Sequence, residues 1–137
     1  MSGRGLLVVA FDTNVVVRLL LRDDAAQAKK AEQAFLRHAR GDGVFLPLVV
    51  LVETAWVLAY TYELDRKAIY DQLVSLVRTR GVVVDEADLV QDALEAYTKG
   101  TADFADYVIL AATRRADCRT LLTFDRRLGK ERGASAM

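Results

Sequence analysis

Asp12, Glu53, Asp103, Asp106 and Asp125 are the residues of this 137-residue chain whose type and setting suggest chemistry. Asp12 closes the apolar run Leu6-Leu7-Val8-Val9-Ala10-Phe11 and is followed by Thr13 and Asn14. A carboxylate at the carboxyl end of a buried strand lies where open α/β sheets bind their ligands. Asp125 repeats the pattern after Thr120-Leu121-Leu122-Thr123-Phe124. One such acid reads as a helix cap; two, with further acids in the chain, read as a site. Glu53 lies between Val49-Val50-Leu51-Val52 and Ala55-Trp56-Val57-Leu58. An ionised Glu in so apolar a helix is costly unless paired or metal-bound. The alternative is a solvent-facing Glu that shares a narrow polar stripe with Thr54. Asp103 and Asp106 are three apart at a helix start and share a face. Acids favour that first turn for capping and dipole reasons, so Asp103 reads as a cap. Asp106, followed by Tyr107-Val108-Ile109-Leu110-Ala111-Ala112, is the better ligand candidate.

Crowded carboxylates repel and raise one another's pKa unless a cation neutralises them. All-oxygen donors select hard ions, Mg²⁺ or Mn²⁺, over zinc. The one histidine, His38, lies in a charged helix and is expected to be exposed. That removes a His-based metal site, a Ser-His triad and a His general base. The chemistry left for acids with Mg²⁺ is phosphoryl transfer to water, in which the metal acidifies its bound water and stabilises charge on the phosphate. Arg18, Arg22, Arg114, Arg115, Arg126, Arg127 and Lys130 are available for phosphate contacts. Each alone is an ordinary solvated cation; Arg126 and Arg127 stand out because they adjoin Asp125. Tyr60, Tyr62 and Tyr70 read as core or dimer contacts, and Trp56 as core, rather than as stacking platforms for bases.

The elements that must carry these residues alternate in type. Strands are expected at Leu6 to Phe11, Val44 to Leu46, Val82 to Val84 and Thr120 to Phe124, with helical patterns between them. Such alternation points to an α/β fold with a parallel sheet. The helix from Pro47 to about Tyr62 is apolar on nearly every side and is expected to be largely buried. Asp24 or Asp23 caps the second helix, Asp65 caps another, and Asp85 begins the helix that carries Leu89, Ala93 and Tyr97. No repeat or linker divides the chain, so residues 1–137 are expected to form a single domain. Residues 129–137 lack periodicity and are expected to be poorly ordered.

A hydrophobic fraction of 53% excludes disorder. No apolar run reaches the ~18 residues of a membrane span, and Met1 to Gly5 lead into a strand rather than form a signal peptide. The single Cys118 suits a reducing, cytoplasmic compartment. Nineteen basic and nineteen acidic residues give no net charge, which argues against binding nucleic acid by bulk charge but not against a nuclease.

Four motifs then stand in order: Phe11-Asp12-Thr13-Asn14, Val52-Glu53-Thr54 with Trp56, Asp103-Phe104-Ala105-Asp106, and Leu122-Thr123-Phe124-Asp125-Arg126. Together they resemble the PIN-domain family, in particular VapC-type toxins of bacterial toxin–antitoxin pairs. The resemblance covers the chain to about Leu128. It implies a PIN-like three-layer α/β/α fold with a central parallel sheet of four to five strands. It also implies Mg²⁺- or Mn²⁺-dependent endoribonuclease activity, an RNA substrate, inhibition by a cognate VapB-like antitoxin, and a homodimer. Asp12, Glu53, Asp106 and Asp125 match the family's acidic quartet, and Asp103 an acid present in part of the family. Asp12 and Asp106 are expected to hold metal directly. Glu53, Asp125 and Asp103 are secondary ligands, acting through water, at a second metal, or on the attacking water. Thr13 matches the hydroxyl that follows the first acid, with Asn14 in support. One departure is the lack of a clear final strand in Gly133-Ala134-Ser135-Ala136-Met137. The alternative to a nuclease is a catalytically weak PIN-like module that binds RNA or protein. A haloacid-dehalogenase-type phosphoenzyme is disfavoured because position 14 is Asn rather than a second acid.

Overall fold

A computed structural model describes residues 8–137, so Leu6 and Leu7 of the first expected strand lie outside the described residues. The chain divides into two compact units, one ending at Asp85 and the other running from Glu86 to Met137.

In the first unit, β1 (Val9–Ala10), β2 (Val44–Leu46) and β3 (Val82–Val84) form a parallel sheet in that order. Val44 sits opposite Val9 on one side and Val82 on the other. Parallel neighbours need long crossovers, and each here holds two helices: α1 (Thr13–Leu21) and α2 (Ala25–Ala39), then α3 (Leu48–Tyr60) and α4 (Arg66–Arg78). The α1 helix stops at Arg22, which turns left-handed at φ 55°. Asp24 then caps α2 by accepting from the Gln27 N–H, and Asp65 caps α4 through the Ala68 N–H. Val16, Val17, Val44, Leu46, Leu51, Leu58 and Leu73 fill the core. Phe11 meets Phe35 of α2 edge to face at 6.4 Å. Gly81 has φ +94°, and a Cβ there would stand 2.8 Å from the Ala39 Cα, so only glycine passes the end of α2 on the way to β3.

The α3 helix departs from expectation. It buries Val50, Leu51, Thr54, Ala55 and Leu58 but leaves Val49, Trp56 and Tyr60 more than half exposed. It packs mainly on α1 and α4, which leaves one face of the helix open. Trp56 and Tyr60 are therefore not core residues. They form an exposed aromatic pair at 5.2 Å.

In the second unit, α5 (Ala87–Lys99) packs on α6 (Phe104–Arg115). Tyr97 of α5 meets Phe104 and Tyr107 of α6 edge to face. Asp85 does not begin α5; Glu86 takes the cap position with a left-handed backbone and no side-chain cap bond. After α6 come β4 (Leu121–Thr123), a 3₁₀ turn (Leu128–Lys130) and β5 (Ala134–Ala136). The tail is thus not the strandless segment expected. β5 pairs in parallel with β4, Leu121 opposite Ala134 and Thr123 opposite Ala136. Backbone pairing does not need apolar side chains, and here it needs small ones. A Cβ on Gly129 would come within 3.0 Å of the Ala136 Cα. Nor is β4 buried on both faces. Successive side chains alternate across a strand, and Leu122 and Phe124 point outward, 60% and 82% exposed.

The architecture is α/β with parallel strands, as expected. Among the described residues the five strands form a sheet of three and a pair rather than one hydrogen-bonded sheet of four to five. None of the described helices is long and apolar enough to cross a membrane.

Candidate functional site

The first unit carries Asp12, Thr13, Asn14 and Glu53. Asp12 lies just beyond β1 and caps α1, its Oδ1 accepting from the Thr13 N–H at 2.6 Å. Thr13 is buried, and its hydroxyl donates to Glu53 Oε1 at 2.7 Å. One residue therefore touches both acids, by its backbone to Asp12 and by its side chain to Glu53. Glu53 is itself exposed, on the outward stripe of α3 with Trp56 and Tyr60. Burial therefore does not force a partner on Glu53, which has one although it is exposed. Thr54 is not on a polar stripe either. It is fully buried, and its hydroxyl has no hydrogen-bond partner among the described residues. Asn14 is exposed on the first turn of α1.

Sequence reasoning missed Asp85 here. It follows β3 as Asp12 follows β1, and its Oδ2 accepts from the Leu48 N–H at 3.0 Å. It supplies the α3 N-terminus with the cap that Pro47 cannot provide. The signal was available: an acid directly after a run of three valines.

The second unit carries Asp103, Asp106, Asp125, Arg126 and Arg127. Asp103 and Asp106 form a capping box at the start of α6, with Asp106 Oδ2 accepting from the Asp103 N–H at 3.1 Å. Burial pushes the Asp106 carboxyl above its ordinary pKa. The Asp103 N–H opposes this, the Asp103 and Asp125 carboxylates add to it, and the Arg127 guanidinium lowers it again. Asp125 is half-buried and caps the turn that follows, accepting from the N–H groups of Arg127 at 2.8 Å and Leu128 at 3.1 Å. Its own N–H donates to the Thr123 hydroxyl. Arg126 is exposed, whereas the Arg127 guanidinium reaches the Thr101 carbonyl at 3.4 Å. His38, back in the first unit, is half-buried rather than exposed.

Tyr107 is a second omission. Its hydroxyl accepts from the Ala102 N–H and donates to Glu131 Oε2 at 2.9 Å, tying the loop before α6 to the tail. A buried Tyr in an apolar run needs such partners, so the signal was present though its partners were not.

The donor set is all carboxylate and hydroxyl oxygen, the chemistry of a hard divalent cation. Asp106 is the acid of this set whose carboxyl is pushed above its ordinary pKa, chiefly by burial. By donor chemistry alone, such oxygens would suit a metal of the Mg²⁺ or Mn²⁺ type. Among the described residues, no three His, Cys, Asp or Glu side chains are gathered into a group that could hold a metal ion. The first unit offers Asp12 and Glu53, and the second Asp103, Asp106 and Asp125.

These features define an α/β protein whose acids sit at strand ends and helix starts. The family model for the PIN domain matches residues 9–132, and the chain belongs to the PIN-domain family. It is similar to a VapC ribonuclease of Aquifex aeolicus, 22% identical over 120 residues, covering 87% of this chain and 88% of that protein. A further similarity is to the crystal structure of VapC20 of Mycobacterium tuberculosis, a sarcin–ricin loop cleaving toxin. That match has 20% identity and a TM-score of 0.42, and covers 90% of this chain and 91% of the other.

Proposed function

We propose that the protein is a metal-dependent endoribonuclease of the VapC type, a toxin restrained by a small cognate antitoxin. The observation that carries this reading is the extent of the family match. It spans Asp12, Glu53, Asp103, Asp106 and Asp125 together, and a curated relative covered along most of its length is a VapC ribonuclease. Asp12 and Asp106 are the direct ligands of Mg²⁺ or Mn²⁺. Glu53, Asp125 and Asp103 ligate through water, complete a second site, or orient the attacking water. The metal would acidify a bound water and neutralise charge on the scissile phosphate. Thr13 holds the Glu53 carboxylate by its hydroxyl and the Asp12 carboxylate by its amide, which fixes the direction in which each acid can accept. Arg126, exposed beside Asp125, contacts the RNA backbone; Arg127 does so while also serving as counter-charge to Asp106. A homodimer in the cytoplasm completes the reading.

The test is cleavage of total RNA by purified, antitoxin-free protein with Mg²⁺ or Mn²⁺ and with EDTA, beside Asp12→Asn. Metal-dependent cutting that the variant loses is expected. RNA binding without cutting in Mn²⁺ would replace this reading with that of a PIN-like binding module.

A further inference from the structure

We propose that the Trp56 indole, flanked by Tyr60, is a stacking platform for a nucleobase of the RNA substrate, one helical turn from Glu53. The proposal rests on the reading of Glu53 as an acid of a ribonuclease site.

The exposed residues of α3 are Val49, Glu53, Trp56 and Tyr60. Spaced by four, three and four residues, they form one stripe along the helix. Val49, Trp56 and Tyr60 are each more than half exposed, and an apolar patch that stays in water marks a binding surface more often than chance packing. The indole and phenol rings lie 5.2 Å apart between centroids and are tilted by 43°. Tyr60 thus steadies the indole while much of the indole remains open to solvent. An open aromatic ring accepts a nucleobase without regard to sequence, because every base has a π-face.

The place of Glu53 decides between occupants. It stands between Val49 and Trp56, within the stripe rather than at its rim. A second copy of the chain docking here about a two-fold axis would present the same stripe. Two Glu53 carboxylates would then leave water together, with both desolvation and like-charge repulsion against them. A nucleobase is flat and uncharged, covers the ring alone, and leaves Glu53 in water. Thr13 meets Glu53 Oε1 from α1 at 2.7 Å, so the acid and the ring keep separate partners. The rise from Glu53 to Trp56 is ~4.5 Å along the helix axis. The stacked base therefore belongs to a nucleotide beside the phosphate that Glu53 serves.

Trp56 is the only tryptophan of the chain, so its emission reports on this position alone. Full-length protein is titrated, in EDTA and again in Ca²⁺, with a short labelled single-stranded RNA of mixed sequence and with the same strand made abasic throughout. Anisotropy of the label follows binding, and Trp emission follows stacking. The RNA is expected to quench the emission, and the abasic strand, with the same phosphates, to leave it unchanged. Trp56→Leu keeps apolar bulk and removes the ring; it should weaken binding of the RNA about tenfold and leave that of the abasic strand as it was. Trp56→Phe, which keeps a ring, should retain most of the affinity. RNA that binds with Trp emission unmoved overturns the proposal. So does equal weakening of both strands in Trp56→Leu, or RNA that binds in neither medium. Emission that changes on dilution without RNA, from a dimer that Trp56→Leu turns into a monomer, gives the face to a second copy instead. Cleavage in Mn²⁺ is scored separately. Quenching by bases without cutting refutes the nuclease reading and leaves the platform standing, whereas cutting without quenching does the reverse.

Discussion

The acids of the two units are held in different ways. In the second unit each carboxylate has a structural duty. Asp103 and Asp106 build the α6 capping box, and Asp125 gathers two backbone N–H groups into the turn after β4. In the first unit Asp12 caps α1, but Glu53, among the described residues, receives a single side-chain bond, from Thr13, and supports no backbone. The carboxylates of the second unit serve the fold, whereas that of Glu53 holds no backbone group among the described residues. The local geometry around Asp103, Asp106 and Asp125 is accordingly set by backbone donors, whereas that of Glu53 depends on how α3 lies against α1.

The largest effect expected is on activity. Asp12→Asn and Asp106→Asn should each lower metal-dependent RNA cleavage by at least about a hundredfold, read as kcat/KM. Retention of full activity in both would dismantle the assignment of ligands in both units.

Next in size is a contrast between two glycines. A Cβ on Gly100 would overlap the hydroxyl of buried Tyr107 and lie 2.9 Å from Glu131, whereas one on Gly41 meets nothing nearer than 3.7 Å. Gly100→Ala should destabilise the protein by about 1–3 kcal/mol, and Gly41→Ala should leave Tm nearly unchanged. Equal Tm values for the two would show that the Tyr107 junction yields.

The third test separates chemistry from capping. Asp106→Ala should cost about 1 kcal/mol in denaturant unfolding through the lost cap, and Glu53→Ala almost nothing, although both lose activity. If Glu53→Ala proves as destabilising, the contrast between the units disappears. Thr54→Val, on the helix that bears Glu53, should be neutral or stabilising by up to about 1 kcal/mol, because it replaces an unpartnered buried hydroxyl.

The smallest effect concerns pH in EDTA. The Asp106 pKa is raised in the folded protein, so between the ordinary and the raised value the folded state binds more protons than the unfolded chain. Stability then falls as pH rises through that window. Asp106→Asn keeps an acceptor for the Asp103 N–H and removes the buried charge. It should raise Tm slightly at pH 7, and the gain should shrink as pH falls and disappear below the ordinary carboxylate range. A gain that grows on acidification would contradict the burial of Asp106.

Much of the fold lies in local pattern. Apolar runs closed by Asp12 and Asp85 announce β1 and β3, and the pair Asp23-Asp24 and Asp65 announce α2 and α4, because caps and strand ends depend on neighbours within a few residues. β5 could not be read this way. Ala134-Ser135-Ala136 has no strand-like composition, and its pairing depends on the turn that returns it to β4. The reading of α3 as a buried helix failed for a related reason: apolar composition says that a face can be covered, not how many neighbours are there to cover it. For the candidate site, the acids could be singled out by their settings, but their hydrogen-bond partners could not.

The sequence by itself determined which residues are available: carboxylates at strand ends and helix starts, a hydroxyl after the first of them, a single histidine, and an order of motifs that marks the PIN family. Tertiary structure decided what each is bonded to. Thr13 meets Glu53 from 40 residues away, Asp85 caps α3 across 37, and Arg18 meets Tyr62 across 44. Propensity and periodicity act over one or two turns of chain, whereas a hydrogen bond needs only that two atoms arrive within about 3 Å of each other. Which atoms arrive is settled by the packing of whole helices.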